Sequence, residues 1–396
     1  MNKLNSPSRI VVTCSKRLSP FLEKEITDLG FVPEKTFSTG LELTGTLNDC
    51  IRLNLNLRCA SQVHFSLKEF EANDPEDLYK TLVAFPWEDY LSKDGYFSVT
   101  SNVDHPTVNN SLYVNVKVKD AIVDRMTRLT GRRPDTGSEL KGAVIYVFWK
   151  KEHAEVFVDT SGETLAKHGY RKIPGRAPML EALAAATILA TKWDRRSPFI
   201  NPMCGSGTVA IEAALLATNR KPGLLRDNYS FMHFKGYDSK MYKKELEEIK
   251  AQVREIEQLE IFATDISENA IKISKTNAEE AGVKHLITFE KCDFEATTVK
   301  EGKEGVVYFN PEYGERLGDL VNLESTYSRI GDFLKKRCRG YKGYVFTGNL
   351  ELAKKIGLKA SRRVEFYNAK LDCRLLEYEL YEGSRRQASN KVSEAE

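Results

Sequence analysis

Phe199-Ile-Asn-Pro-Met-Cys-Gly-Ser-Gly-Thr208 is the stretch that decides the fold. Phe199-Ile200 reads as a short strand, the glycines as a tight turn, and Thr208 to Thr218 as an Ala- and Leu-rich helix. A glycine turn between strand and helix lets the backbone approach a ligand closely, and the helix N-terminus supplies free N–H groups. Asn201, Pro202, Met203, Cys204, Gly205, Ser206 and Gly207 are therefore candidate cofactor residues. Taken alone the stretch is ambiguous. Gly205-Ser-Gly-Thr-Val-Ala210 also fits the G-x-G-x-x-A form of a dinucleotide site, and an ordinary strand-to-helix turn would explain it as well.

Two later carboxylates shift that balance. Ile261-Phe-Ala-Thr-Asp265 and Ile287-Thr-Phe-Glu-Lys-Cys-Asp293 both read as strands ending in an aspartate. Asp265 is placed to accept from ribose hydroxyls and Asp293 from an exocyclic adenine amine; singly, each also reads as a helix cap or turn residue. Sheets of this kind bind ligands beyond the carboxyl ends of their strands. The apolar run Gly305-Val-Val-Tyr-Phe309 then opens into Asn310-Pro-Glu-Tyr313. An aromatic amine is a poor nucleophile because its lone pair is delocalised. If the Asn310 side-chain oxygen and the Pro311 carbonyl accept its two N–H groups, that lone pair can be aimed at an electrophilic methyl, while Tyr313 stacks on the ring. As an isolated dipeptide, Asn-Pro would be only a turn.

From residue 177 the alternation of helix and strand implies a mostly parallel sheet with helices on both faces. Lys240 to Glu260 reads as a long charged surface helix with a solvated face. Toward the N-terminus, Lys167-His-Gly-Tyr-Arg-Lys-Ile-Pro-Gly-Arg176 is basic, aromatic and rich in glycine and proline, and reads as the domain linker. In front of it, Ile10 to Thr13 reads as a strand, Ser19 to Leu29 as a helix, Asp74 to Leu82 as a capped helix, Tyr96 to Thr100 as a strand and Val114 to Leu129 as a helix. Ala143 to Trp149 and Ala154 to Val158 read as a hairpin.

Composition bounds the function. The 396 residues, 41% hydrophobic, can bury a large core and exceed one typical domain. No apolar run approaches the ~18 residues that span a bilayer, and Met1 to Arg9 lacks the apolar core of a signal peptide. A soluble, cytoplasmic protein with no membrane role is expected. Seven cysteines without a C-x-x-C pair, and no clustered histidines, argue against a disulfide framework and against a metal site. A net charge of +3 is too small to establish nucleic-acid binding, so a basic surface must come from local clustering.

Asn201-Pro-Met-Cys-Gly-Ser-Gly-Thr208 and Asn310-Pro-Glu-Tyr-Gly-Glu-Arg-Leu317, with Asp265 and Asp293 between them, resemble class I S-adenosylmethionine-dependent RNA methyltransferases that carry a THUMP domain. The resemblance is nearest to the RlmL type, which makes N2-methylguanine in 23S rRNA. Asp159-Thr-Ser-Gly-Glu-Thr-Leu165, Gly169-Tyr-Arg171 and Ala177-Pro178 leading into Glu181-Ala-Leu-Ala-Ala-Ala186 extend it over most of the chain. It implies an α/β fold: a Rossmann-like methyltransferase domain at 166–383, mostly parallel with a C-terminal antiparallel hairpin. Before this would come a ferredoxin-like α+β unit at 1–70, completed by about 154–165, and a THUMP-like RNA-binding domain at 71–153. Residues 384–396 would form a disordered tail.

The resemblance also implies roles. Amides around Cys204 to Gly207 would hold the methionine part of S-adenosylmethionine, Asp265 its ribose and Asp293 its adenine, with Ala177 and Pro178 also at the cofactor. Asn310, Pro311 and Tyr313 would hold the target base, and Tyr170, Arg171, Lys172 and Arg176 would touch RNA phosphates. The partner would be 23S rRNA or a large-subunit precursor, and the chain a monomer. Glu312 stands where the family usually has proline, and Asn201 where aspartate is common. Adenine N6, cytosine N4 or a glutamine amide is the alternative acceptor. An inactive assembly factor that binds cofactor and RNA, and a dinucleotide-dependent oxidoreductase, are the readings from other classes.

Overall fold

The computed structural model describes Leu4 and residues 6–108, 110–173, 179–314 and 320–381. The first half runs β1 (Ser8–Thr13), α1 (Ser19–Asp28), β2 (Lys35–Phe37), β3 (Gly40–Gly45), α2 (Leu47–Asn56), β4 (Gln62–Glu71), α3 (Pro75–Ala84), β5 (Tyr96–Asp104), α4 (Ser111–Thr130), β6 (Asp135–Thr136), β7 (Ala143–Lys150) and β8 (His153–Asp159). The second half runs α5 (Glu181–Leu189), β9 (Phe199–Pro202), α6 (Thr208–Ala217), α7 (Ser239–Ala251), β10 (Ile261–Asp265), α8 (Glu268–Glu280), β11 (Ile287–Lys291), β12 (Val306–Phe309), α9 (Leu320–Arg337), β13 (Lys342–Thr347), α10 (Leu350–Lys354), β14 (Arg362–Asn368) and β15 (Leu371–Glu379).

These elements form two compact units that meet in sequence between His168 and Gly169. The first contains one eight-stranded sheet in the order β2-β3-β1-β4-β8-β7-β5-β6. Its helices start where the sequence places caps. The Thr46 hydroxyl and Asp49 carboxylate cap α2 reciprocally, and Asp74 accepts the Glu76 and Asp77 amides at the head of α3. The expected hairpin is β7 and β8, paired antiparallel from Val144↔Asp159 to Lys150↔His153. Strand β4 pairs with β1 on one side and β8 on the other.

One segment departs from the sequence reading. The charged helix expected to reach Glu260 stops at Ala251, and Lys221–Ala251 belongs to the first unit, inside the range drawn for the methyltransferase domain. Helix α7 packs against α2 and buries Glu245 and Ile249, so its face is not wholly solvated. The period of its few apolar residues marks the packed side, but charge alone does not reveal it.

The second unit is a seven-stranded sheet in the order β11-β10-β9-β12-β13-β15-β14. Strands β11 through β13 run parallel, and β15 pairs antiparallel with both β13 and β14. The strand order reverses between β9 and β12, and ligands bind at such a switch point. Strand β12 is buried throughout, as a parallel strand covered on both faces must be. Its Val307 and Phe309 join Tyr327, Ile330, Phe333 and Leu334 of α9 in one core. The all-α/β arrangement follows from this alternation of apolar strands and amphipathic helices.

Candidate active site

The carboxyl ends of β9, β10 and β12, with the loop after β11, bring together the residues singled out in the sequence. At the end of β9 the chain turns through Met203 (φ 56°), Gly205 (φ 56°) and Gly207 (φ 82°). Gly207 is required twice over: its φ is left-handed, and a Cβ there would stand 2.7 Å from the Ser274 Cβ on α8. Nothing lies within 4 Å of where a Gly205 Cβ would be, so the turn faces open space at that point.

The turn's amides are largely spoken for. Cys204 N–H donates to the Thr264 carbonyl (2.9 Å), Gly205 N–H to Asp265 Oδ2 (3.0 Å) and Gly207 N–H to the Cys204 carbonyl (2.9 Å). Three of the amides from Cys204 to Gly207 thus build the turn itself. Asn201 and Pro202 are buried, and the Asn201 amide donates to the Tyr308 carbonyl at 2.9 Å, which ties β9 to β12. Asn201 Oδ1 is also buried, with no hydrogen-bond partner among the described residues. Burial, with help from the nearby Asp265 charge, pushes the Cys204 thiol up, so it is no nucleophile. Ser206 is buried, its hydroxyl 3.2 Å from that of Thr208.

Asp265 is half-buried and accepts the Gly205 amide on one oxygen and the Ser267 amide (2.9 Å) on the other. A carboxylate has about four acceptor sites, which leaves two for a ligand. Beside it Ile266 is 70% exposed, an apolar platform that sequence reasoning missed because a lone isoleucine after a strand carries no signal. Asp293 caps the turn after β11 by accepting the Glu295 amide at 3.0 Å. Both its oxygens also lie 2.8 Å from Nη2 of Arg329 on α9. Partial burial works against its charge, but Arg329 and the Glu295 amide outweigh that and hold the carboxyl below its ordinary range. Phe294 packs edge-on against Phe309 and Phe333, which fixes the turn that carries Asp293.

At the acceptor motif, the Asn310 Oδ1 is buried and has no hydrogen-bond partner among the described residues. Pro311 is buried, Glu312 exposed and Tyr313 half-buried. The Glu312 carboxylate thus projects to the surface instead of into the protein.

The linker reading is corrected at two residues. Tyr170 is only 2% exposed, and its hydroxyl donates to Glu212 on α6 at 2.8 Å. Arg171 is largely enclosed, bonding the Met179 carbonyl (2.5 Å) and the Thr208 hydroxyl (3.0 Å), with Glu181 3.4 Å away. Neither can reach a phosphate; both brace the head of α6 directly behind the glycine turn. Lys172 is exposed beside Glu280. Arg176, Ala177, Pro178 and the tail 384–396 lie outside the described residues. Among the described residues no group of three His, Cys, Asp or Glu side chains is placed to hold a metal ion. No described helix is long and apolar enough to cross a membrane.

Comparison with known proteins matches three family models in succession: an RlmL ferredoxin-like domain over residues 9–64, a THUMP domain over 72–159 and an RMKL-like methyltransferase domain over 168–377. The ribosomal RNA large subunit methyltransferase K/L of Syntrophotalea carbinolica is 34% identical over 389 residues, 96% of this chain and 54% of that protein. The chain thus spans about half the length of the K/L relatives it matches. Among solved structures, a predicted N6-adenine-specific DNA methylase from Listeria monocytogenes shares 32% identity at a TM-score of 0.84, with 95% of this chain and 97% of that chain covered. SMU.472, "a putative methyltransferase complexed with SAH", shares 27% identity at a TM-score of 0.84, with 96% and 99% covered. The chain belongs to the family that joins an RlmL ferredoxin-like domain and a THUMP domain to an RMKL-like methyltransferase domain.

Proposed function

We propose that this chain is an RNA methyltransferase that moves a methyl group from S-adenosylmethionine to the exocyclic N2 of a guanine in 23S rRNA. The observation that carries the reading is the Asn310 side-chain oxygen, buried at the end of β12 with no donor among the described residues. Leaving such an acceptor unpaired costs about 1–3 kcal/mol, which an amine N–H of the substrate would recover. The cofactor reading has support from SMU.472, which was solved with S-adenosylhomocysteine, and from the names of the K/L relatives.

The residues present fit the cofactor. Gly205 leaves open space at the turn, Asp265 keeps acceptor capacity for ribose hydroxyls, Ile266 offers an apolar face, and Asp293 is held ionised to accept from adenine. When bound, S-adenosylmethionine supplies an electrophilic methyl group on a sulfonium sulfur. Asn310 and the Pro311 carbonyl accept the amine's two N–H groups and align its lone pair with that methyl, while Tyr313 lies against the base. With the amine held in this way, the proton it gives up on methylation would pass to water, since no described side chain of the motif is placed as a base. A base inside a duplex is out of reach, so the target must be unpaired or flipped. The THUMP domain and the exposed Lys172 would contact RNA, and the chain would act as a soluble cytoplasmic monomer.

The name of the Listeria relative keeps adenine N6 as the second acceptor. Nucleoside mass spectrometry of rRNA from cells with and without the protein separates the two. Loss of one N2-methylguanine supports the reading, loss of N6-methyladenine replaces it, and unchanged rRNA with retained RNA binding points to an assembly factor.

A further inference from the structure

Tyr313 is held by residues far from it in sequence. Its hydroxyl accepts a hydrogen bond from the Asn368 side-chain amide at 2.8 Å, and its backbone carbonyl lies 3.4 Å from the Asn349 amide. Its ring rests on Gly348, where an added Cβ would stand 3.2 and 3.3 Å from two ring carbons and 3.3 Å from the Cys373 sulfur. These three residues are themselves fixed. Asn349 caps α10 by accepting the Glu351 and Leu352 amides at 3.1 Å. Asn368 ends β14 opposite Leu371, across a two-residue turn whose Ala369 is left-handed (φ 52°). Gly348 follows β13 directly.

The segment Pro311 to Gly314 has no regular secondary structure. A tyrosine on such a loop loses rotamer freedom only where outside contacts take it away. An aromatic wall set before substrate arrives spares that ordering cost at binding.

We propose that Asn368, with Gly348, is a positioning residue for the acceptor base: the β14–β15 turn fixes the angle of the Tyr313 ring, and so the plane in which a nucleobase is received. This rests on the reading of Tyr313 as a base-stacking residue. It assigns the C-terminal hairpin a part in substrate alignment that its place at the sheet edge does not announce.

The test uses the full chain, unmodified 23S rRNA transcript, radiolabelled S-adenosylmethionine, and calorimetry with S-adenosylhomocysteine. Asn368→Ala and Tyr313→Phe each remove one end of the bond, and each should raise the KM for RNA about fivefold to tenfold. Affinity for S-adenosylhomocysteine should stay unchanged. The double variant should be no worse than Tyr313→Phe alone, which removes the Asn368 bond together with the hydroxyl's contact to the Cys373 thiol. Asn368→Leu, which keeps the bulk but can neither donate nor accept, should behave like Asn368→Ala; Asn368→Asp, whose carboxylate can accept from the Tyr313 hydroxyl, should stay near wild type; and Gly348→Ala should raise the KM by displacing the ring. Independently of turnover, amide hydrogen exchange across Asn310 to Gly314 should quicken in Asn368→Ala. Multiplicative effects in the double variant, or equal loss of cofactor binding, overturn the proposal. So does unchanged exchange. If Tyr313→Ala leaves methylation unaltered, the base-stacking reading falls and the positioning role falls with it. Accelerated exchange would then report only a structural tether.

Discussion

In the site proposed above, the two carboxylates read as holding the methyl donor at one end and the amide read as holding the acceptor amine at the other are built on opposite terms. Asp265 and Asp293 are already engaged by protein donors: Asp265 closes the glycine turn, and Asp293 caps a turn and pairs with Arg329. Asn310 presents a buried oxygen that no described residue satisfies. A group that also serves the fold holds its position whether or not ligand is bound, at the expense of acceptor capacity. A group left unpaired is a cost to the fold until substrate completes it. Changes at the first end should therefore disturb shape and cofactor together, and changes at the second should disturb chemistry alone.

The contrast is most exposed at Asn310. Asn310→Ala should lower the methylation rate by at least ~100-fold while leaving affinity for S-adenosylhomocysteine within about twofold. Rate assays beside calorimetry check it, and equal loss of both would erase the distinction between the two ends. Asp265→Ala should weaken S-adenosylhomocysteine by about 10–100-fold, since hydrogen bonds to a charged group are lost along with the tether of the turn. Unaltered affinity would remove Asp265 from the cofactor site.

A smaller effect probes the brace behind the turn. Tyr170→Phe should cost about 1–3 kcal/mol of stability, read as a lower Tm, with RNA affinity and its salt dependence unchanged. A flatter salt dependence would restore the phosphate contact that burial argues against. The smallest change is expected at Arg329, which is half exposed. Arg329→Met should cost no more than about 1 kcal/mol at neutral pH. The folded-state pKa of Asp293 lies below its unfolded value, so the pair's stabilisation is present above the unfolded value and lost as pH falls through the folded one. The stability curves of wild type and variant should therefore separate above pH ~4 and converge in stronger acid. Parallel curves would show that Arg329 does not hold the Asp293 charge.

Much of this was legible because the signals are local. The β7–β8 hairpin follows from alternation and a polar turn, the cap of α3 from Asp74, and the mostly parallel second sheet from helices and strands in alternation. What failed depends on partners distant in sequence. Tyr170 and Arg171 look like an RNA-binding pair until Glu212, Thr208 and Met179 close over them. The glycine turn announces a close approach, but not that Thr264, Asp265 and Cys204 take its amides. The end of α7 was illegible because charged residues continue past Ala251 with no glycine or proline to mark the stop. Arg329 and Asn368 carried no motif, since each acts through a residue dozens of positions away.

Strand β4 links two family modules more tightly than their boundaries suggest. The ferredoxin-like match ends at residue 64 and the THUMP match begins at 72, yet β4 runs unbroken from Gln62 to Glu71, zipped to β1 on one edge and β8 on the other. A cut in that interval would strip a central strand of its neighbours and leave raw hydrogen-bonding edges on both fragments, the kind of surface that templates aggregation. The fused pair is therefore one structural unit, and a fragment that kept either module alone would have to cover the middle of a sheet anew.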